Sequence, residues 1–199
     1  QYFSACGVVY GSILMLFTIL YMLTILLMEK KDKEIYKGLS DTDALTGLFN
    51  RRAFQAAVDE TLLKRIAGVF IFIDVDNFKN YNDKYGHANG DLCLKHFAAT
   101  MKKCFPKDSI LGRYGGDEFV VYIKNAASDD AHRYMDEFQR EISHLMMSGG
   151  EYVTVSASAG GVAFIGEGED FVSLCRSADN MLYDVKRNGK GTFKMKGAK

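Results

Sequence analysis

The sequence predicts an α/β fold in which helices flank a central sheet, preceded by one transmembrane helix. Three observations support this prediction: an uncharged apolar segment at 2–28, the continuous apolar run "GVFIFIDV" at 68–75, and an amphipathic helical pattern at about 171–187. With 48% hydrophobic and 25% charged residues, the composition is that of a globular protein. Lys plus Arg and Asp plus Glu number 25 each, so net charge gives no support for nucleic acid as a partner.

The segment 2–28 contains no charged side chain. As a helix rising about 1.5 Å per residue, it is longer than the ~30 Å hydrocarbon core of a bilayer requires. A cleaved signal peptide fits less well, because no basic region precedes the segment and no small-residue cleavage site follows it. We therefore expect residues 1–28 to be a membrane-spanning helix, with Lys30, Lys31 and Lys33 on the cytoplasmic side.

Residues 29–40 are charged and lack a sustained apolar period, so we expect a connector there, either helical or irregular. Gly7 and Gly11 form a GxxxG pair, which would let two such helices approach closely but also occurs by chance. The chain begins at Gln1 rather than at methionine, and we expect it to be a piece of a longer protein. Residues 41–199 then form one domain of ordinary size.

The hydrophobic patterns after the connector predict alternating helices and strands. Two short apolar strands, "SILGRY" and "EFVVYIK", predict a hairpin in which Gly115 and Gly116 supply the positive φ angles of a two-residue turn. The first predicted element is a helix with Phe54, Val58, Leu62 and Ile66 on one face. It is followed by a buried strand at 68–76, a polar loop at 77–90, a helix at about 91–104, the hairpin, a helix at about 128–147, a strand at about 152–164 and a helix at about 171–187 ended by Gly189. This order is typical of an α/β sandwich of the ferredoxin-like type.

Four acidic residues lie at the ends of predicted strands: Asp74, Asp76, Asp117 and Glu118. If the strand and the hairpin are neighbours in one sheet, their carboxylates converge, and their mutual repulsion requires a cation. A hard divalent ion such as Mg²⁺ suits carboxylates that leave room for water and phosphate oxygens. Three lysines add charge suited to phosphate groups: Lys79, Lys186 and Lys190. Each acid by itself is also compatible with a solvated turn residue, and no P-loop motif is present.

Four segments resemble, in order and spacing, the motifs of diguanylate cyclase catalytic domains of the GGDEF family. They are "DALTGLFNRRAF" (43–54), "FIDVDNFKNYNDKYGHANGD" (72–91), "RYGGDEF" (113–119) and "ADNMLYDVKRNGKG" (178–191). The resemblance implies a palm-type nucleotidyl-cyclase sheet within 41–199. It implies a nucleotidyltransferase that condenses two GTP molecules into cyclic di-GMP and releases two pyrophosphates. It also implies a homodimer, required because each domain binds one GTP, and signal transduction from a bacterial inner membrane with the catalytic domain in the cytoplasm.

The same resemblance assigns roles by motif position. It implies that two Mg²⁺ ions per half-site, with Mn²⁺ as an alternative, are held by Asp74, the backbone carbonyl of Val75, and Asp117. It implies catalytic roles for Asp117 and Glu118, with water as an alternative acceptor of the ribose proton. The implied substrate-binding residues are Asn82, His87 and Asp91 for guanine and the rest of the nucleotide, Phe78 and Lys79 for the β and γ phosphates, Gly115 and Gly116 for clearance beside the hairpin, and Lys186 and Lys190 as the cationic pair.

Two departures from the family pattern qualify these expectations. Gly191 stands where an Asn is frequent, and Lys190 stands where an Arg is more frequent. A lysine keeps the positive charge but lacks the guanidinium group that binds a phosphate through two hydrogen bonds. The family's inhibitory product site, RxxD, falls on "PKDS" at 106–109, which predicts that this site is absent. Two other readings remain open: a catalytically silent GGDEF-like nucleotide-binding sensor, and a membrane-anchored interaction module whose acids are solvated loop ends.

Overall fold

The computed structural model describes residues 2–39, 41–143, 145–146, 150 and 152–196, and the chain divides into two compact units, 1–40 and 41–199. The first unit contains a single helix, α1 (Tyr2–Leu39). Within it, Tyr10–Met28 has a mean hydropathy of 2.3 and no buried residue, so by length and composition it is able to cross a membrane. The expected connector is helical, because α1 continues through it as far as Leu39.

The second unit is a six-stranded sheet with helices on both faces. Its elements are β1 (Phe49–Asn50), α2 (Arg51–Leu63), β2 (Gly68–Val75), α3 (Phe78–Tyr85), α4 (His87–Cys104), β3 (Ile110–Gly115), β4 (Glu118–Lys124), α5 (Ser128–Ile142), β5 (Leu145–Met146), β6 (Tyr152–Val153), β7 (Ala157–Phe164), α6 (Phe171–Arg187) and β8 (Phe193–Met195). The strand order is β1-β3-β4-β2-β7-β8, and each neighbouring pair among the four inner strands is antiparallel. This inner order confirms the predicted ferredoxin-like sandwich.

All eight residues of β2 are buried because helices cover both faces of the sheet. On one face Ile71 belongs to a cluster with Phe97 of α4 and Phe138 of α5, whose rings meet edge to face at 4.8 Å. On the other face Phe70 packs against Phe54 of α2 at 6.0 Å. Successive side chains of β2 point to opposite faces of the sheet, so each face packs against its own layer of helices. The strand β2 therefore lies at the centre of the domain.

Helix α6 lies unusually close to the sheet. A Cβ at Gly160 of β7 would collide with the backbone of α6 at Ala178 and Leu182, so only glycine permits this approach. The helix begins with a capping box in which the carboxylate of Asp170 accepts the Ser173 amide at 2.8 Å, and it ends before Gly189, whose φ is 118°. The bounds predicted for this helix are confirmed, and its close packing fixes the position of its last turn beside β2.

The predicted polar loop at 77–90 is wrong. Residues Phe78–Tyr85 form α3, and α4 begins at His87 rather than at 91. The polar sequence conceals an aromatic stripe, since Phe78 stacks on Tyr81 at 6.3 Å between ring centroids and Tyr81 contacts Tyr85 at 5.0 Å. Gly86, with a φ of 81°, separates the two helices. The segment thus forms a helical pair rather than a loop.

Three other boundaries differ from the sequence predictions. Helix α2 ends at Leu63, so Ile66, expected on its apolar face, lies outside the helix. Helix α5 ends at Ile142 instead of 147, and Leu145–Met146 pairs with Tyr152–Val153 in a separate two-stranded ribbon. The predicted strand at 152–164 is consequently divided into β6 and β7.

The hairpin forms as predicted, but its turn is displaced by one residue. Gly115 pairs with Glu118, so Gly116 and Asp117 make the turn, and of the two glycines only Gly116 has a positive φ, of 27°. The register shifts between Arg113 and Gly115. This irregularity inserts one residue into β3 and moves the turn towards Asp117.

Candidate active site

The end of β2 and the turn of the hairpin bring three acidic residues together. Asp74 lies opposite Glu118 in the antiparallel β2–β4 pair, and the Val75 amide donates to the Asp117 carbonyl at 3.2 Å. Burial raises the pKa of Glu118, and the nearby carboxylates of Asp74 and Asp117 raise it further. The predicted convergence is therefore confirmed for these three residues, which we call the acidic wall.

A lysine from α6 supplies a counter-charge to this wall. The ammonium of Lys186 lies 2.8 Å from Oδ2 of Asp74, whose side chain is only 12% exposed. Burial raises the pKa of Asp74, and the opposing effect of Lys186 does not cancel it. The wall is thus an anionic site that already holds one cationic group of the protein itself.

The donors of the acidic wall fit a magnesium ion that is shared with a substrate. Among the described residues, no three His, Cys, Asp or Glu side chains are grouped so as to hold a metal by themselves. Asp74 and Asp117 offer two carboxylates, and Val75, the last residue of β2, offers a backbone carbonyl. Mg²⁺ is commonly bound by one or two carboxylates, with waters and substrate phosphates completing its octahedron. The oxygen donor set suits that arrangement and does not suit zinc.

Asp76 lies close enough to Asp74 for its charge to raise the pKa of Asp74, but its carboxylate bonds elsewhere and is not counted in the acidic wall. Its Oδ1 accepts the Ser158 hydroxyl at 2.7 Å, and its Oδ2 accepts the Ser156 hydroxyl at 2.8 Å and the Gly191 amide at 3.0 Å. These three donors satisfy the carboxylate. Asp76 therefore ties the loop after α6 to the end of β2.

The first turn of α3 is open to an anion. Asn77 occupies the N-cap position, but its side chain makes no capping hydrogen bond; its Oδ1 instead accepts the Lys190 ammonium at 2.8 Å. The amides of Phe78 and Lys79 lie in this uncapped turn, where the helix dipole favours negative charge. The structure thus brings three of the proposed phosphate-binding residues to one place: Phe78, Lys79 and Lys190.

Helices α3 and α4 form a second wall, which we call the helical wall: Asn82, His87, Gly90 and Asp91. The Oδ1 atom of Asn82 is buried, and no hydrogen-bond partner for it occurs in the described part of the chain. It lies against Gly90, where a Cβ would collide with it. Asp91 follows Gly90 directly, and His87 precedes Asp91 by one helical turn; both are exposed. The fold therefore places Asn82 against Gly90, the residue before Asp91, and the roles of Asn82, His87 and Asp91 in nucleotide binding stay predictions.

The sequence reasoning assigned no role to Gly90. A glycine inside a helix lowers helix stability by about 1 kcal/mol relative to alanine. A glycine at this position of a helical segment could therefore have indicated that a side chain does not fit there. The constraint is the amide of Asn82, which occupies the space a side chain would need.

The sequence reasoning also missed a clamp on the hairpin turn. Arg113 donates to both carboxylate oxygens of Asp43, at 3.0 and 3.3 Å, and to the Gly116 carbonyl at 3.0 and 2.7 Å. Burial acts to raise the pKa of Asp43, but hydrogen bonds from Thr46 and Arg113 outweigh it and hold that pKa below its ordinary value. The turn that carries Asp117 is consequently fixed to the segment before β1.

The space beside the turn is open. A Cβ at Gly116 would meet no atom within 4 Å, and one at Gly115 would meet only the Glu118 carboxylate, at 3.4 Å. Positive φ explains glycine at 116 alone. For Gly115 the expectation that it leaves room for a nucleotide therefore remains a prediction that the geometry accommodates.

Residues 40–192 match the family model described as "Diguanylate cyclase, GGDEF domain". The chain belongs to the GGDEF family. Its relatives include the diguanylate cyclase DgcM of Escherichia coli (strain K12), 32% identical over 166 residues and 81% of this chain. They also include the cyclic di-GMP phosphodiesterase PdeR of the same strain, 32% identical over 168 residues and 83% of this chain.

The chain spans 40% of the length of DgcM and 25% of that of PdeR. The similarity is therefore that of a shared GGDEF domain within longer proteins. The crystal structure of the GGDEF domain of DgcB from Caulobacter crescentus, in complex with c-di-GMP, matches with a TM-score of 0.72 at 29% identity, over 78% of this chain and 93% of that one. This likeness confirms the palm-type α/β fold implied by the sequence motifs.

Proposed function

We propose that this GGDEF domain is a diguanylate cyclase, a nucleotidyltransferase that condenses two GTP molecules into cyclic di-GMP and releases two pyrophosphates. The observation that carries the proposal is the acidic wall, in which Asp74, Asp117 and Glu118 meet beside an uncapped helix terminus. Carboxylates grouped next to an anion-binding terminus suit a metal–triphosphate complex better than a solvated loop. The intact family motifs at 72–91 and 113–119 add to this support.

Each residue of the site receives a role in this reaction. Asp74, the Val75 carbonyl and Asp117 would hold the metal, two Mg²⁺ per half-site or Mn²⁺ in their place. A bound divalent ion supplies Lewis-acid stabilisation of the charge that develops on the phosphate oxygens. Asp117 and Glu118 at the turn are assigned catalytic roles, and the proton of the attacking 3′-OH passes to Asp117 or to water.

The remaining residues bind and orient GTP. Asn82 and Asp91 would pair with the guanine edge, which offers both donors and an acceptor, while His87 contacts the rest of the nucleotide. The Oδ1 of Asn82 lacks a described partner but is buried against Gly90, so its contact with guanine requires the side chain to rotate towards the ligand. The phosphates would lie on Phe78 and Lys79, with Lys186 and Lys190 as cations and Gly115 and Gly116 giving clearance.

The reaction requires a homodimer. One domain binds one GTP, so two chains must face each other with two-fold symmetry, each 3′-OH aimed at the partner's α-phosphorus. We further propose that residues 1–28 span a bacterial inner membrane, that 29–40 connect this span to the domain at 41–199, and that the domain acts in the cytoplasm. The apolar segment Tyr10–Met28 and the lysines after it support this placement.

The test is incubation of the 199-residue chain, in detergent micelles, with GTP and Mg²⁺. We expect cyclic di-GMP by mass spectrometry and pyrophosphate in a molar ratio of two to one. Turnover per chain should rise with protein concentration, because the dimer is the active form. ATP in place of GTP, and chelation of the metal, serve as controls that should give no product.

The outcomes separate the alternatives. Mg²⁺-dependent GTP binding without product, at concentrations where the chain is dimeric, would identify a catalytically silent nucleotide sensor. Absence of both binding and product would favour an interaction module. Either result contradicts the proposed cyclase activity.

A further inference from the structure

Asp76 directly follows β2 and lies beside the acidic wall, yet its side chain makes its hydrogen bonds elsewhere. Two of its three donors are hydroxyl groups of the segment that enters β7, Ser156 and Ser158. The third is the Gly191 amide, 115 positions further along the chain. Ser158 also accepts this amide, at 3.1 Å, so the Gly191 N–H is shared between the carboxylate and the hydroxyl. The carboxylate is thus the centre of a bonded network that includes the loop after α6.

That loop has a conformation that needs external support. Three consecutive residues have positive φ angles: Gly189 at 118°, Lys190 at 60° and Gly191 at 64°. For the lysine, the left-handed conformation costs about 1 kcal/mol or more relative to the right-handed one. The bonds from Gly191 to Asp76 and Ser158, together with the bond from the Lys190 amide to the Val185 carbonyl at 3.2 Å, hold the loop in this form. They therefore determine where the Lys190 side chain begins.

The Lys190 side chain in turn acts on α3. Its ammonium donates to the Oδ1 of Asn77, which directly precedes the first turn of α3. Asn77 itself has a left-handed backbone, with φ 57° and ψ 28°, rather than the extended conformation of a capping residue, so its side chain does not cap the amides of Phe78 and Lys79. The carboxylate of Asp76 thus arranges the cation that lies beside this helix terminus.

We propose that Asp76 is a positioning residue for the triphosphate of GTP and acts through Lys190. It contributes no metal ligand and does not contact the guanine. The proposal rests on the proposed function for the identity of the nucleotide, but the loop geometry that it invokes is independent of turnover. It predicts that loss of Asp76 weakens binding of the β and γ phosphates selectively.

The first experiment compares GTP with GMP, which share the guanine and the α-phosphate. Dissociation constants are measured by calorimetry on the full chain in micelles for Asp76→Asn and Asp76→Ala. We expect GTP to bind about tenfold more weakly in Asp76→Asn, with a larger loss in Asp76→Ala, because charge-assisted hydrogen bonds to the loop are lost. GMP affinity should stay unchanged. Equal losses for GTP and GMP would overturn the proposal.

Asp184→Asn is the matched control. Like Asp76, Asp184 is an aspartate near the loop after α6, but it lies within the last turns of α6 itself. Its Oδ2 is paired at 3.2 Å with the ammonium of Lys194 on the surface and not with the loop. Its substitution removes the same charge and should leave the ratio of GTP to GMP affinity unaltered. A shift of that ratio in the control as large as in Asp76→Asn would show a general charge effect and would contradict the proposal.

A double-mutant cycle tests the route through Lys190. If Asp76 acts by positioning this lysine, the variant Asp76→Asn/Lys190→Ala should bind GTP no more weakly than Lys190→Ala alone. Additive losses would show that Asp76 acts on the phosphates by another path and would overturn the assignment. Ser156→Ala, which removes one exposed donor to the same carboxylate, should give an intermediate loss and provides a milder variant if Asp76→Ala fails to fold.

Hydrogen exchange supplies a measurement that does not need any nucleotide. The Gly191 amide should exchange markedly faster in Asp76→Asn, while amides in β2 and β4 keep their protection. Unchanged exchange at Gly191 would overturn the proposal even if the chain proves to be an active cyclase. If the unmodified chain bound neither nucleotide, the proposed function would fail, whereas faster exchange at Gly191 would still support control of the loop by Asp76.

Discussion

The acidic wall and the helical wall satisfy their polar groups in opposite ways. In the acidic wall Asp74 is paired with Lys186 at 2.8 Å, and the turn that carries Asp117 is clamped by Arg113. In the helical wall the Asn82 Oδ1 is buried without a described partner, and Asp91 is exposed. The protein's own bonds therefore hold one wall in place, while the other retains bonding capacity for a ligand.

This difference shows how one small domain separates two tasks. Grouped carboxylates repel each other, so they are kept together only if the scaffold restrains them and a cation compensates them. A recognition surface gains selectivity when its buried polar atoms are satisfied by the correct ligand alone. The substitutions below test this contrast, beginning with the largest expected effect.

Replacing Asp117 with alanine should have the largest effect. We expect cyclic di-GMP formation to fall by about 10³-fold or more, because the metal at the acidic wall loses one of its carboxylates. Product is measured by mass spectrometry, and folding by circular dichroism. Asp108→Ala, an exposed aspartate before β3, is the control and should retain full activity. Near-normal turnover in Asp117→Ala would refute the metal assignment.

Replacing Asn82 with alanine should separate ligand affinity from stability. The loss of guanine contacts should weaken GTP binding by about 10- to 100-fold. The free energy of unfolding without ligand should rise, since a buried and unpartnered amide oxygen is removed. Asn80→Ala, at an exposed position of the same helix, corrects for the helix propensity of alanine. If Asn82→Ala were less stable than Asn80→Ala, Asn82 would have a partner within the protein.

Replacing Asp43 with asparagine should release the turn of the hairpin. We expect a loss of about 2 kcal/mol in the free energy of unfolding at neutral pH, measured by urea denaturation, because the ion pair with Arg113 is broken.

The pH dependence of this variant has a definite sign. The pKa of Asp43 is lower in the folded chain than its ordinary value of 3.8. The ionised Asp43 carboxylate therefore adds to the free energy of unfolding at pH values above 3.8, and this addition is lost as the pH falls through the lowered pKa. The stability difference between Asp43→Asn and the unmodified chain should therefore narrow on acidification below about pH 4. A difference that is constant with pH would exclude the ion pair as its cause.

Replacing Lys186 with glutamine should have a smaller effect, because this lysine is 36% exposed. The acidic wall loses its internal cation, and we expect a loss of about 1 kcal/mol of stability in the absence of metal. Millimolar Mg²⁺ should raise the melting temperature more in this variant than in the unmodified chain, because the ion then replaces the missing charge. An equal Mg²⁺ response in both chains would mean that the metal binds elsewhere.

Added cyclic di-GMP should have the smallest effect of all. Residues 106–109 carry "PKDS" in place of RxxD, and the Ser109 amide closes a tight turn on the Pro106 carbonyl at 3.0 Å. We expect no inhibition of turnover at product concentrations that inhibit cyclases bearing RxxD. Strong non-competitive inhibition would show that the chain binds its product at another site.

The sequence by itself determined the fold class, the buried strand β2, the bounds of α6 and the acids at the hairpin. These features depend on local patterns: an apolar run of strand length, a helical period with a capping residue, and residue types at fixed motif positions. Resemblance to the family motifs also assigned Asn82 and Asp91 to the nucleotide.

Only the tertiary structure decided which of these groups share a surface. The register of β2 against β4 placed Asp74 opposite Glu118. Two residues further on, the carboxylate of Asp76 instead accepts the Gly191 amide. The clamp by Arg113 joins residues 70 positions apart, and the seat of Asn82 against Gly90 exists only because α3 and α4 pack together. Such contacts depend on strand register and on close packing between distant segments, and a local sequence pattern carries neither.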